Sequence, residues 1–348
     1  MFETTGYALE SATAPLTPLT FNRRDPRPVD VAMKILFCGV CHADVGLAHG
    51  EWGFGNYPCV PGHEIVGRVT AVGSKVSKYK VGDLVGVGPL VDSCRTCAAC
   101  KEGHEQLCDT GFTPTYMGPD KDFGHTYGGY SHDIVVDENY VVRVPGTINA
   151  AAAAPLLCAG ITSYSPLKRA NVGPGMTVGV IGIGGVGHMA IKFAKAMGAK
   201  VVALTTSAGK ADDARRLGAD DVLVTTDADA MTKSKERFDV ILDTVAVSHN
   251  LNGYLGLVKR EGELCLLGTP PELTAAALAL IFRSKRLTGS FFGGIAETQE
   301  MLDFSAKHGI AADIEIVRLD QINEAWKRMI AADVRYRFVI EMALTQPA

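Results

Sequence analysis

Cys41-His42-Ala43-Asp44 and Gly62-His63-Glu64 place a thiol, an imidazole and two carboxylates within one short stretch of chain. That mixture of soft and borderline donors is the set divalent zinc prefers. A second group, Cys94, Cys97, Cys100 and Cys108, has the spacing Cys-x2-Cys-x2-Cys-x7-Cys on a polar loop. Four thiolates so close together suit a closed, structural zinc site with no position left for substrate. An iron–sulfur cluster and a set of free surface thiols are the competing readings, and nothing else in the chain suggests electron transfer.

The first group lacks a ligand. Cys158, in Pro155-Leu156-Leu157-Cys158-Ala159-Gly160-Ile161-Thr162, is the best-placed remaining thiol, because it falls at the seam between a β-rich region and one of alternating strands and helices. With Cys41 and His63 it would supply two sulfurs and one nitrogen, leaving a fourth position for water or substrate. That is a catalytic arrangement. Cys38, Cys59 and Cys265 lie in apolar sequence and read as small buried hydrophobes.

A third pattern implies a nucleotide. Val178-Gly179-Val180-Ile181 runs into Gly182-Ile183-Gly184-Gly185-Val186-Gly187 and then a helical pattern through Met189, Ile191 and Ala194. Gly182 permits a tight turn, Gly184 lets backbone approach a pyrophosphate, and Gly187 allows close packing of helix on strand, with Gly185 and Val186 between them. The next strand leads into Thr205-Thr206-Ser207-Ala208-Gly209-Lys210, without the carboxylate that grips the ribose of NAD. Hydroxyls and a lysine suit the extra 2′-phosphate of NADP. An ordinary polar turn is the alternative.

These groups need two kinds of scaffold. Alternation through Val29, Val31, Met33, Ile35 and Phe37, with β-like runs at 65–72, 84–87 and 134–144, predicts an irregular, mostly antiparallel β domain. Near Ala150 the pattern changes to alternating helices and β-branched runs, with strands expected at 178–182, 200–204, 221–224, 240–243, 263–267 and 287–289. Strand, helix, strand in that order predicts a parallel sheet with right-handed crossovers, an α/β fold. A helix over 297–308, a strand over 313–319, a helix over 323–332 and a strand over 337–341 follow.

Composition excludes several classes of function. A formal charge of −4 argues against a nucleic-acid or anionic-membrane surface, and the apolar runs are too short and glycine-broken to span a bilayer. The N-terminus has no signal-peptide pattern, so a cytoplasmic location and a small-molecule partner are expected. Nine cysteines in a reducing compartment point to metal rather than disulfides.

Taken together, Cys41-His42-Ala43-Asp44, Gly62-His63-Glu64, the four-cysteine loop, Cys158 and the glycine loop resemble, in the same order and over nearly the whole chain, the zinc-dependent medium-chain alcohol dehydrogenases. Within them the resemblance is to the cinnamyl-alcohol-dehydrogenase-like aldehyde reductases. It implies a GroES-like catalytic domain over 1–150 and 291–348, a Rossmann NADP-binding domain over 151–290 inserted in it, two zinc ions per chain, and a homodimer. Cys41, His63 and Cys158 match the catalytic-zinc ligands, Glu64 a residue able to approach that metal, and Asp44 the carboxylate that orients the ligating imidazole. Thr162 and Gly268 are implied to lie beside the nicotinamide and its ribose.

The implied reaction is reversible reduction of an aromatic or medium-chain aldehyde to a primary alcohol by NADPH. Most relatives begin a proton relay with a serine or threonine where this chain has Ala43, so His42 or water must relay instead. Otherwise the site reduces a conjugated carbon–carbon double bond. An NAD-linked polyol dehydrogenase and an inactive redox-sensing scaffold are the further alternatives. Trp52, Phe54, Tyr57, Phe112, Tyr116 and Met117 are candidate liners of an apolar pocket, Trp52 and Tyr116 above all. His49, His104, His125, His132, His188, His249 and His308 read as surface or packing residues.

Overall fold

The computed structural model describes residues 1–53 and 55–344. They form two compact units, Met1–Cys158 with Gly293–Ala348, and Ala159–Phe292.

The first unit is built on the strand Asp30–Val40, which pairs antiparallel with Ile65–Val72, Asp133–Asp137 and Arg337–Glu341. Leu84–Val87 and Val142–Arg143 extend the sheet beyond Ile65–Val72, and Ile314–Val317 lies parallel to Arg337–Glu341 at the other edge. Phe2–Ala8 and Thr17–Arg23 form a separate hairpin that the periodicity did not reveal. The run expected as one strand over 134–144 is broken, because the Asp137 side chain accepts the Asn139 N–H and starts a 3-10 turn at Glu138–Tyr140.

Register explains why the metal-type residues converge. Cys38 lies opposite Ile65 and Phe338 opposite Val40. Cys41 and His63-Glu64, just past those strand ends, and Arg337, the first residue of its strand, therefore meet at one end of the ladder. Helix Ala150–Ala153 and the 3-10 turn Ala154–Leu157 pack on Asp30–Val40 and Ile65–Val72. The first unit accordingly continues to Cys158 instead of ending near Ala150.

The second unit carries a six-stranded parallel sheet in the order Asp221–Val224, Lys200–Thr205, Thr177–Ile181, Phe238–Asp243, Val258–Leu266, Arg286–Gly289. Chain order reverses on either side of Thr177–Ile181, which makes the carboxyl end of that strand a topological switch point. Val178, Val180, Val202, Leu204, Ile241 and Leu264 are fully buried, as strands covered on both faces require. No single helix among the described residues is long and apolar enough to cross a membrane.

Candidate metal and cofactor sites

Cys41, His63, Glu64 and Cys158 each offer a ligand atom, and these atoms lie within 4.8 Å of one another. The Cys41 and Cys158 sulfurs are 4.0 Å apart. A tetrahedral zinc with Zn–S distances of about 2.3 Å would hold two sulfurs about 3.8 Å apart, so the spacing fits that ion. Cys41 caps the helix His42–Ala48, and Cys158 occupies the break after Ala154–Leu157. Both thiols therefore stand on short, sterically fixed segments.

Asp44 organises the cluster from beneath. Its fully buried carboxylate accepts hydrogen bonds from Cys41 N (3.0 Å), Gly62 N (3.2 Å), His63 Nδ1 (2.8 Å) and the Tyr130 hydroxyl (3.0 Å). A carboxylate can only accept, so His63 Nδ1 must carry a hydrogen and Nε2 is free to bind a metal. Burial alone would push the His63 imidazole down, but the charge and hydrogen bond of Asp44 raise it well above the ordinary histidine range. A hydrogen bond from Cys158 holds the Cys41 thiol well below its usual value, and Cys158 is raised in turn. The raised thiol is the donor of that contact and the lowered one its acceptor.

Glu64 and Arg337 form a buried ion pair through Glu64 Oε1 and Arg337 Nη2, while Glu64 Oε2 and Arg337 Nε have no protein partner. Burial pushes the Glu64 carboxyl up to about 7 even though Arg337 pulls it down. Glu64 Oε2 sits over Gly39, where a Cβ would lie 1.9 Å from it, so no side chain fits there. Sequence reading missed Arg337 because it lies far along the chain from Glu64, and only the Phe338–Val40 register brings it there.

Cys94, Cys97, Cys100 and Cys108 likewise place their sulfurs within 4.8 Å of one another, with Cys94 and Cys100 3.9 Å apart. Backbone N–H groups of Cys97, Cys100 and Cys94 point at the sulfurs of Cys94, Cys97 and Cys108, at 3.4, 3.5 and 3.4 Å. Hydrogen bonds from the Thr96 and Cys97 backbone pull the Cys94 thiol down to about 5, the thiolate a metal needs. The donor set fits a closed S4 zinc site.

In the second unit Gly182 turns the chain at φ 87°. A Cβ at Gly187 would lie 2.0 Å from the Gly182 carbonyl, so close packing of helix Gly187–Ala196 on the turn requires glycine. A Cβ at Gly184 would meet nothing within 4 Å. This is an open face at a helix N-terminus, with Gly185 and Val186 completing the turn, where a pyrophosphate could be received. Two histidines read as packing residues support this region: buried His188 points Nδ1 at the Gly185 carbonyl (2.9 Å), and His249 approaches Asp243.

The predicted hydroxyl cluster divides. Thr205 is buried, and its Oγ1 accepts the Ser207 N–H at 3.2 Å, bracing the turn from inside. Thr206, Ser207 and Lys210 are exposed. Thr162 and Gly268 are both half-buried. Among the pocket candidates Trp52 is 42% exposed over Gly46, whereas Tyr116 is buried, its hydroxyl donating to the Ala43 carbonyl (3.3 Å) and its ring beside His63. Tyr57 and Phe112 are half-buried and Met117 is buried; Phe54 lies outside the described residues. His42 is exposed at the start of its helix.

Residues 27–146 match the alcohol dehydrogenase GroES-like domain, and residues 185–307 match the zinc-binding dehydrogenase family. An aldehyde reductase of Escherichia coli, YahK, is 55% identical over 95% of this chain and 96% of its own. NADP-dependent alcohol dehydrogenase C 1 of Mycolicibacterium smegmatis is 54% identical over 99% of both chains. The structure of a Sorghum bicolor cinnamyl alcohol dehydrogenase superposes with a TM-score of 0.96 at 46% identity, covering 100% of this chain and 99% of that one. A Helicobacter pylori cinnamyl alcohol dehydrogenase complexed with NADP(H) gives 0.93 at 40% identity, over 99% of both chains. The chain thus belongs to the zinc-binding alcohol dehydrogenase family, with the GroES-like and Rossmann-type domains of that fold.

Proposed function

We propose that this protein is a zinc-dependent NADPH:aldehyde oxidoreductase, interconverting aromatic or medium-chain aldehydes and primary alcohols. The observation that carries the reading is the Cys41, His63 and Cys158 cluster, three donors held by a shared buried support and suited to a zinc with one position open. When bound, the zinc polarises a carbonyl and the reduced nicotinamide supplies hydride. Asp44 fixes the His63 tautomer, and Arg337 holds one oxygen of Glu64. Ala43 offers only a methyl, so the exposed His42 imidazole or ordered water carries the proton between alcohol and solvent. Cys94, Cys97, Cys100 and Cys108 hold a second, structural zinc. The reading includes a cytoplasmic homodimer.

Because Ala43 stands where relatives begin a relay, the test includes a conjugated enal. With NADPH, allylic alcohol as the main product supports carbonyl reduction, and saturated aldehyde overturns it. Parallel kcat/KM measurements with NADH separate this enzyme from an NAD-linked polyol dehydrogenase.

Two further outcomes are expected. The zinc-free catalytic cluster keeps protons on His63 and on the Cys158 thiol, so zinc binding must release them. Its apparent zinc affinity is expected to fall roughly ten- to a hundredfold per pH unit on acidification, measured by chelator competition at about pH 6 and about pH 8. Ser207 accepts the Gly209 N–H at the start of a 3-10 turn, a cap that aspartate also makes. Ser207→Asp is expected to keep the fold and to lower kcat/KM for NADPH about 10- to 100-fold, through repulsion of the 2′-phosphate. The value for NADH should hold or rise.

A further inference from the structure

Asp243 ends the strand Phe238–Asp243 beside the switch point, and its side chain is fully buried. The loop that follows, 244–248, is wedged between two glycines. Thr244 Oγ1 donates to the Ile181 carbonyl at 2.8 Å, and a Cβ on Gly182 would lie 2.8 Å from that hydroxyl. On the other side, a Cβ on Gly268 would lie 2.1 Å from the Val245 carbonyl. The loop therefore touches both the glycine turn and the segment implied to flank the nicotinamide ribose, while its tip, Ala246 to Ser248, is exposed.

One histidine fastens this loop at both ends. His249 Nε2 lies 2.7 Å from Asp243 Oδ2, and His249 Nδ1 lies 2.8 Å from the Val247 carbonyl. Asp243 Oδ1 accepts the Val245 N–H at 3.1 Å. A carbonyl only accepts, so Nδ1 must carry a hydrogen; the Nε2–Oδ2 contact needs a second one. Imidazole and carboxyl together must hold two protons for both bonds to exist. Loss of either leaves two lone pairs facing each other, at Nε2–Oδ2 or at Nδ1–Val247 O. Burial raises the Asp243 carboxyl, which favours retention of that proton. The other titratable group facing the ring is Tyr254 of helix Asn252–Leu257, in edge contact at 6.1 Å; strand Leu273–Thr274, paired with His249–Asn250, brings no charge.

We propose that Asp243 and His249 form a two-proton latch that holds the 244–248 loop against Gly182 and Gly268, making His249 a positioning residue for dinucleotide binding. The proposal rests on the NADPH reading above. Deprotonation breaks one of the two bonds, frees the loop and weakens cofactor binding, so binding takes up a proton. Affinity falls as pH rises, opposite in sign to any contribution from ionisation of the cofactor's 2′-phosphate.

The test is NADPH affinity of the zinc-loaded enzyme, by quenching or calorimetry, between about pH 6.5 and about pH 9.5. The wild-type Kd is expected to rise about tenfold or more across that range, the worth of one hydrogen bond to a charged group. In Asp243→Asn the amide can donate to Nε2 while its oxygen still accepts from Val245, so the latch closes without the extra proton. That variant is expected to vary less than about twofold over the same range. His249→Gln should bind NADPH weakly, with an equally flat profile. A wild-type profile parallel to that of Asp243→Asn overturns the latch. Absence of NADPH binding at every pH, with NADH bound, overturns the cofactor reading instead.

Discussion

Cys41→Ala is expected to retain one zinc per chain against two for the wild type, and to lose about three orders of magnitude or more in kcat/KM for aldehyde reduction. Loss of carbonyl polarisation removes several kcal/mol of charge stabilisation, and about 4 kcal/mol is already a thousandfold. Cys97→Ala separates the two clusters. It should also retain one zinc, yet lose mainly stability, because four sulfurs leave no position at which substrate could be activated. Metal analysis, thermal unfolding and steady-state kinetics on both variants decide the matter. A wild-type content of one zinc, or equal kinetic losses in the two variants, would contradict the division of roles and reopen the inactive-scaffold alternative.

Arg337→Met should have the largest effect on stability, and its size should depend on pH. Glu64 and Arg337 are both buried, and methionine fills the space while removing the charge that compensates the carboxylate. In the zinc-free wild type the Glu64 carboxyl already sits at about 7, above its ordinary 4.5. The folded state therefore holds that proton to higher pH than the unfolded chain, and stability falls as pH rises from about 4.5 to about 7. Without Arg337 the carboxyl rises further, so the loss continues past 7. The variant's deficit is expected to be small near pH 6 and to grow by about 1.4 kcal/mol per pH unit above pH 7, toward the ~3–5 kcal/mol typical of a broken buried pair. Urea unfolding at three pH values measures it. Glu64→Gln in the Arg337→Met background should abolish the pH dependence; its persistence would show that Glu64 is not the group responsible.

Much of this protein is legible because its chemistry is written locally. The four-cysteine loop and the glycine turn each place their functional atoms within a few residues, where backbone geometry leaves little choice. The parallel strands were likewise readable, since strands buried on both faces must be continuously apolar. Expected positions at 200–204 and 240–243 fall within Lys200–Thr205 and Phe238–Asp243. Legibility failed where a polar side chain redirected the backbone, as Asp137 does, and where a hydroxyl's direction mattered. Thr205 and Ser207 look alike in sequence, but Thr205 ends a strand buried on both faces, whereas Ser207 stands in the exposed turn beyond it.

The sequence by itself determined the donor types, the closed four-sulfur spacing, the glycine turn and, through their order along the chain, the family. Tertiary structure alone decided which distant groups hold those donors in place. Beyond the imidazole that its motif already implied, Asp44 gains Gly62 and Tyr130 from distant segments, Arg337 reaches Glu64 through strand register, and His249 folds back on Asp243. Ligands can be clustered by a short motif, but a buried charge must be neutralised by whatever the fold brings within hydrogen-bond reach. Those partners are set by sheet pairing across the whole chain, and no local pattern contains them.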